Sequence, residues 1–130
     1  MSSLHRILDG KVLVHHLTQD ERMLDPELLA KHGRTARTLV KEGPLRLTLM
    51  GIAANGTLPS HRTDAHVTVH QLEGEVTFTV LGREYPLATG DVLTLAPGVE
   101  HEARSTTGGA FLITVLMAGT ETPEAAGHGS

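Results

Sequence analysis

Gly90-Asp91-Val92-Leu93-Thr94-Leu95-Ala96-Pro97-Gly98-Val99-Glu100-His101 is the stretch whose reading decides the fold. It reads as turn, strand, turn, strand. Thr89-Gly90-Asp91 reverses the chain, Val92–Leu95 is a short run of strand formers, and Pro97-Gly98 bends it again before Glu100–Arg104. Gly90 and Gly98 stand where a tight turn demands backbone angles that other residues rarely adopt.

The same rhythm continues on both sides. Downstream, Thr107-Gly108-Gly109 turns into an aliphatic strand over Ala110–Met117. Upstream, His66–Glu73, a turn at Gly74 and Glu75–Leu81 follow one another, then a Gly82-Arg83 turn and Glu84–Leu87. Farther back, Thr35–Lys41 is broken by Gly43-Pro44. Leu45–Ala54 follows, with Leu45, Leu47 and Leu49 alternating against Arg46, Thr48 and Met50. Asn55-Gly56 is a tight-turn pair. Many short strands at even spacing, each ended by Gly, Pro or Asn, indicate a sandwich or barrel.

The N-terminal part differs. Lys11–Leu17 reads as a first short strand, and Pro26–His32 as a helix of about two turns. Asp25 is its N-cap, Glu27 suits the positive end of the helix dipole, and Gly33 closes it. The division expected is 1–34 for strand and helix, 35–118 for the barrel, and 119–130 for a disordered tail rich in Gly, Ala and Glu.

Composition narrows the function. The chain has 130 residues, which fits one domain. Phe78, Tyr85 and Phe111 are its aromatic residues, so the core must be aliphatic. A net charge of −4 with scattered Lys and Arg excludes a nucleic-acid surface. No cysteine is present, which removes disulfides, thiolate ligands and a cysteine nucleophile, and fits a cytoplasmic protein. No apolar run is long enough to span a membrane. The segment from Met1 to Leu13 carries His5, Arg6, Asp9 and Lys11, unlike a signal peptide.

With these residues in view, the chain resembles a small single-domain cupin. The second cupin motif has Gly, five residues, Pro, one residue, Gly, two residues, His, three residues, Asn. Gly90 to His101 matches it in register, with Ala96 in place of the first Pro and Ser105 in place of the Asn. The first motif is degraded. Anchored on Gly74, its three ligand positions hold His61, Thr63 and Val67, so only His61 survives. The resemblance covers roughly Leu45 to Leu116 and implies an all-β jelly-roll barrel, a double-stranded β-helix, with one short N-terminal helix. It implies little about activity, because the fold serves enzymes, sensors and storage proteins alike.

What the resemblance implies for the site is a divalent transition metal (Fe, Mn, Ni or Zn) held by His61 and His101. His66 or His70 would complete the set. On a regular strand His66 and His70 share one face about 13 Å apart, at roughly 3.3 Å per residue, so one ion cannot hold both. A bulge or one-residue slip would swing His66 inward. If the face of Val67, Val69 and Gln71 points inward instead, both histidines point outward and two ligands remain. His5, His15, His16, His32 and His128 read as surface or terminal positions. Glu100 or Glu102 could orient the His101 ring or simply face solvent. Arg34, Arg37 and Lys41 read as one exposed strand face.

Three functions fit. One is a metal-dependent enzyme acting on a small organic molecule. Another is a non-catalytic small-ligand binder or sensor, with or without metal. The last is a structural homodimer with incidental histidines. The resemblance also implies a homodimer, a second copy covering the sheet edges and aliphatic outer sheet, with the N-terminal strand crossing over.

Overall fold

A computed structural model describes residues 7–17 and 26–117. Helix α1 spans Pro26–His32; Asp25, its expected cap, lies outside the described residues, as does the tail. Nine strands follow among the described residues: β1 Arg34–Glu42, β2 Leu45–Ile52, β3 Thr57–His61, β4 His66–Gly74, β5 Val76–Val80, β6 Arg83–Leu87, β7 Val92–Leu95, β8 His101–Arg104 and β9 Gly109–Leu116. They form two antiparallel sheets, ordered β1-β2-β9-β4-β7 and β3-β8-β5-β6. The sheets face each other as a jelly-roll barrel, with β1 projecting beyond the smaller sheet. No described helix is long and apolar enough to cross a membrane.

Alternation decides what lies between the sheets. Val67, Val69 and Gln71 of β4 are buried, and so are Val76, Phe78 and Val80 of β5. These residues, with Ile52, Leu87, Leu95, Ala103 and Phe111, make the central core. Phe78 meets Phe111 edge to face at 5.4 Å between ring centres, the arrangement that aromatic quadrupoles favour. A second cluster covers the outer face of the five-stranded sheet. Leu39, Val40 and Leu49 are its buried members, with Leu45, Leu47, Leu72 and Leu112 packed against them. The leucine face of β2 therefore points outward. Arg46, Thr48, Met50 and Ile52 share the face toward the barrel, where Met50 and Ile52 join the central core.

The closed end of the barrel is fixed by close backbone contacts. Ser105 is buried; its hydroxyl donates to the Glu75 carbonyl and accepts from the Gly108 N–H at 2.8 Å. Gly74 has φ +69°, and a Cβ there would fall 2.2 Å from the Gly108 oxygen. A side chain is thus excluded twice, by conformation and by space. At the opposite, open end, β5 and β6 are joined through Leu81 and Gly82, at φ 52° and 79°. The turn therefore lies one residue earlier than the expected Gly82-Arg83, and a leucine occupies a left-handed position.

Three expectations are corrected. Lys11–Leu17 forms no strand: the segment lacks a ladder and lies across the outer sheet face, where Leu13 and Leu17 cap the leucine cluster. Its tie to the sheet edge lies just upstream, where the Lys41 N–H donates to the Leu8 carbonyl at 2.8 Å. Strand β3, unanticipated, occupies Thr57–His61. Arg34, Arg37 and Lys41 do not share a face. A bulge between Thr38 and Val40 shifts the register, so Arg34 and Lys41 stand opposite Ile52 and Arg46 on the barrel side, while Arg37 opposes Leu49 on the other.

Candidate functional site

The site begins with a proline in an edge strand. Pro59 has no N–H to give a ladder, so edge strands and bulges are where a sheet tolerates it. Between β3 and β8, Leu58 pairs with Ala103 and His61 with His101, three residues advancing against two. The extra residue inverts the alternation after Leu58. Without it Ser60 would oppose His101 and His61 would face outward. With it the two imidazoles are direct cross-strand partners, 5.4 Å between ring centres and inclined at 79°.

The other wall is the Pro97-Gly98 bend. The Gly98 N–H donates to the Thr63 carbonyl at 2.7 Å, locking the loop before β8 onto the loop after β3. His101 is half-buried, with its ring centre 6.4 Å from that of Phe78. Its Nδ1 lies 3.2 Å from the Val99 carbonyl. A carbonyl only accepts, so Nδ1 donates in this contact. The Val99 carbonyl, not a carboxylate, orients the ring. Glu100 accepts from the Ser60 hydroxyl at 2.6 Å on the exposed rim. An open depression of about 310 Å³ adjoins His101 there, bounded by Ser60, Thr79, Glu100 and Glu102. His61 is exposed at the mouth, and partly buried Leu58, Val99, Ile113 and Val115 surround the interior below it.

His66 and His70 are not brought to this pair. Both are exposed on the outer face of β4, because Val67, Val69 and Gln71 take the inward positions. Register places His66 opposite Leu116 and His70 opposite Leu112 and Val92, all outside the barrel. The sequence missed Arg46, which the β2 register turns toward the barrel beside Val115.

Two opposed antiparallel sheets, closed at one end and open at an imidazole pair, define a double-stranded β-helix with a site at its mouth. Residues 38–117 match the family model of the cupin domain, and the chain belongs to that family. No curated protein matches it. Among solved structures it is similar to an RmlC-like cupin from Desulfovibrio desulfuricans (21% identity, TM-score 0.68, covering 81% of this chain and 96% of that one). A conserved protein of unknown function from Streptococcus pyogenes gives 19% identity and a TM-score of 0.67, covering 86% and 93%. A polyketide cyclase from Streptomyces resistomycificus gives 19% and 0.62, covering 69% of each chain. At these identities the likeness shows the fold alone.

The donor set can be tested against the metal that cupins often hold. Among the described residues no three His, Cys, Asp or Glu side chains converge on one point. Thr63 and Val67 stand at the family's other ligand positions, and Val67 is buried core. Two imidazoles supply half of a tetrahedral set. These residues do not fit a resident three- or four-ligand metal centre.

Proposed function

We propose that this cupin binds a small organic molecule at the mouth of its barrel, with the His61–His101 pair as its polar anchor and no requirement for metal. The observation that carries this reading is the pair itself: a bulge re-aims His61 onto His101, and the Val99 carbonyl holds the His101 ring through Nδ1. An aliphatic interior with few, placed polar groups is the usual build of a small-molecule site. The lack of cysteine suits the reducing cytoplasm, where we place the protein.

The test is a fragment screen followed by NMR on the full chain. Hits should move the resonances of Phe78, His61 and His101. His101→Ala should weaken them by about ten-fold or more, the size of one charge-independent hydrogen bond plus lost ring contact. EDTA should leave both the hits and the melting temperature unchanged. Binding that vanishes on chelation would restore the metal reading, and binding that survives both His→Ala changes would move the site elsewhere.

The same protein is proposed to be a homodimer. Ile7, Val12 and Val14 are each more than three-fifths exposed, although Leu13 between them packs on the sheet. Exposed aliphatic side chains on a segment already seated on an apolar sheet face suit a second copy. Sedimentation equilibrium should give twice the chain mass, and Val12→Lys with Val14→Lys should return the monomer. A wild-type monomer at micromolar concentration would refute it.

A further inference from the structure

Strands β2 and β3 belong to different sheets but leave a common corner. There the Gly56 N–H donates to the Ala53 carbonyl at 2.8 Å and Asn55 takes φ 62°. Gly56 is required by space, since a Cβ would fall 2.8 Å from both the Ala53 and Gly33 oxygens. From this corner the strands run toward the open end, β3 finishing at His61 and β2 beginning near Arg46. The histidine pair and Arg46 therefore stand at the same open end, on the two strands that leave this corner.

Arg46 has a direct cross-strand partner of its own sign. The β1–β2 register sets Lys41 opposite Arg46, and the bulge at Leu39 is what turns Lys41 to the barrel side. Like charges opposed across a ladder are destabilising. Among the described residues no carboxylate pairs with either side chain; Arg104 pairs with Glu84 on the other sheet. The barrel-side positions of β1 and β2 are Arg34, Ala36, Thr38 and Lys41, then Arg46, Thr48, Met50 and Ile52. They hold three cations and no acid, in a chain whose net charge is −4. Arg46 Nη1 donates to the Gly43 carbonyl at 2.6 Å and the Leu45 carbonyl at 3.1 Å, which fixes the guanidinium at the hairpin and leaves further N–H groups to donate. Val115 lies beside Arg46 and Ile113 beside Thr48, giving an aliphatic floor next to the charge.

We infer that the ligand taken at this open end is a small organic acid. Its carboxylate bridges Lys41 and Arg46, its apolar body lies on Val115 and Ile113, and its far end reaches the His61–His101 pair. The inference rests on the proposed ligand site and adds the chemical class of its occupant. An anion between the two cations relieves their repulsion and gains charge-assisted hydrogen bonds from a fork already held in place.

The probes are hexanoate and hexanamide, matched in length and different in charge, titrated into the full-length protein by NMR. Hexanoate should shift Lys41, Arg46, Val115 and the two histidines, and bind about ten-fold or more tighter than hexanamide, as one charged hydrogen bond allows. Lys41→Gln with Arg46→Gln, both near strand ends, should bring hexanoate down to the level of the amide. Equal binding of acid and amide, no loss in the double variant, or no shift by hexanoate up to its solubility limit would overturn the inference. Shifts at His61 and His101 that appear with acid and amide at equal affinity would leave the ligand site standing while the acid anchor falls. Acid-dependent shifts at Lys41 and Arg46 without any at the histidines would support the anchor and reject the histidine site.

Discussion

Gly74→Ala is expected to leave little folded protein, with a loss above about 4 kcal/mol, a size reached only by a few specific mechanisms. Two causes add. At φ +69° an L side chain meets its own backbone, costing about 1–2 kcal/mol. The new methyl would also stand 2.2 Å from the Gly108 oxygen, which accepts from the Glu75 N–H, and 2.7 Å from the Gly109 Cα, which is held in the β4–β9 ladder. Gly82→Ala is the control. Its φ of 79° carries the same conformational cost, but nothing lies within 4 Å of the added carbon. It should cost about 1 kcal/mol. Urea unfolding of both variants checks the pair. Equal losses would show that conformation alone, and not the close approach of the two turns, makes Gly74 necessary.

Phe111→Ala should be the most damaging change in the core, at about 3–5 kcal/mol. Phe111 is fully buried and is one of only two phenylalanines. It packs edge to face on Phe78, which in turn stands beside His101. The surrounding core is Val, Ile, Leu and Ala, with no other large ring to move into the space. The thermal midpoint should fall by about 15 °C or more for a domain of this size. Phe111→Leu, which keeps most of the volume, should cost far less. Similar melting of the alanine and leucine variants would mean that the barrel collapses around the hole.

The turns were the legible part of this chain. Gly and Pro mark reversals because few residues adopt the angles involved, so strands β4 to β9 follow from the sequence to within a residue or two. Strand β3 escaped because its bulge at Pro59 and Ser60 breaks the period-two pattern by which a strand is recognised. Lys11–Leu17 misled for the opposite reason. Its Val and Leu content suits a strand, but Leu13 and Leu17 pack on the outer sheet face without a ladder, and Val12 and Val14 stay exposed. The histidine pair was legible through motif spacing, and the outward turn of His66 and His70 was implicit in the valines between them. What the sequence left open was the direction of β2. Three alternating leucines look like the core face, yet a second apolar layer outside the sheet takes them. That layer turns Arg46 inward. It depends on the N-terminal segment, which contacts the strand only in three dimensions.

The two prolines of the smaller sheet have a wider consequence. Pro59 lies in β3 and Pro86 in β6, the two margins of that sheet. Each margin lacks a donor that a foreign strand would need, so fibril growth cannot readily template there. The larger sheet offers β1, nine residues long, and its protection is partial: the Leu8 carbonyl occupies one of its N–H groups. Shortening the N-terminus therefore does more than trim a tail. It bares the longest margin of the molecule together with the leucines beneath, and opens the barrel to side-by-side polymerisation.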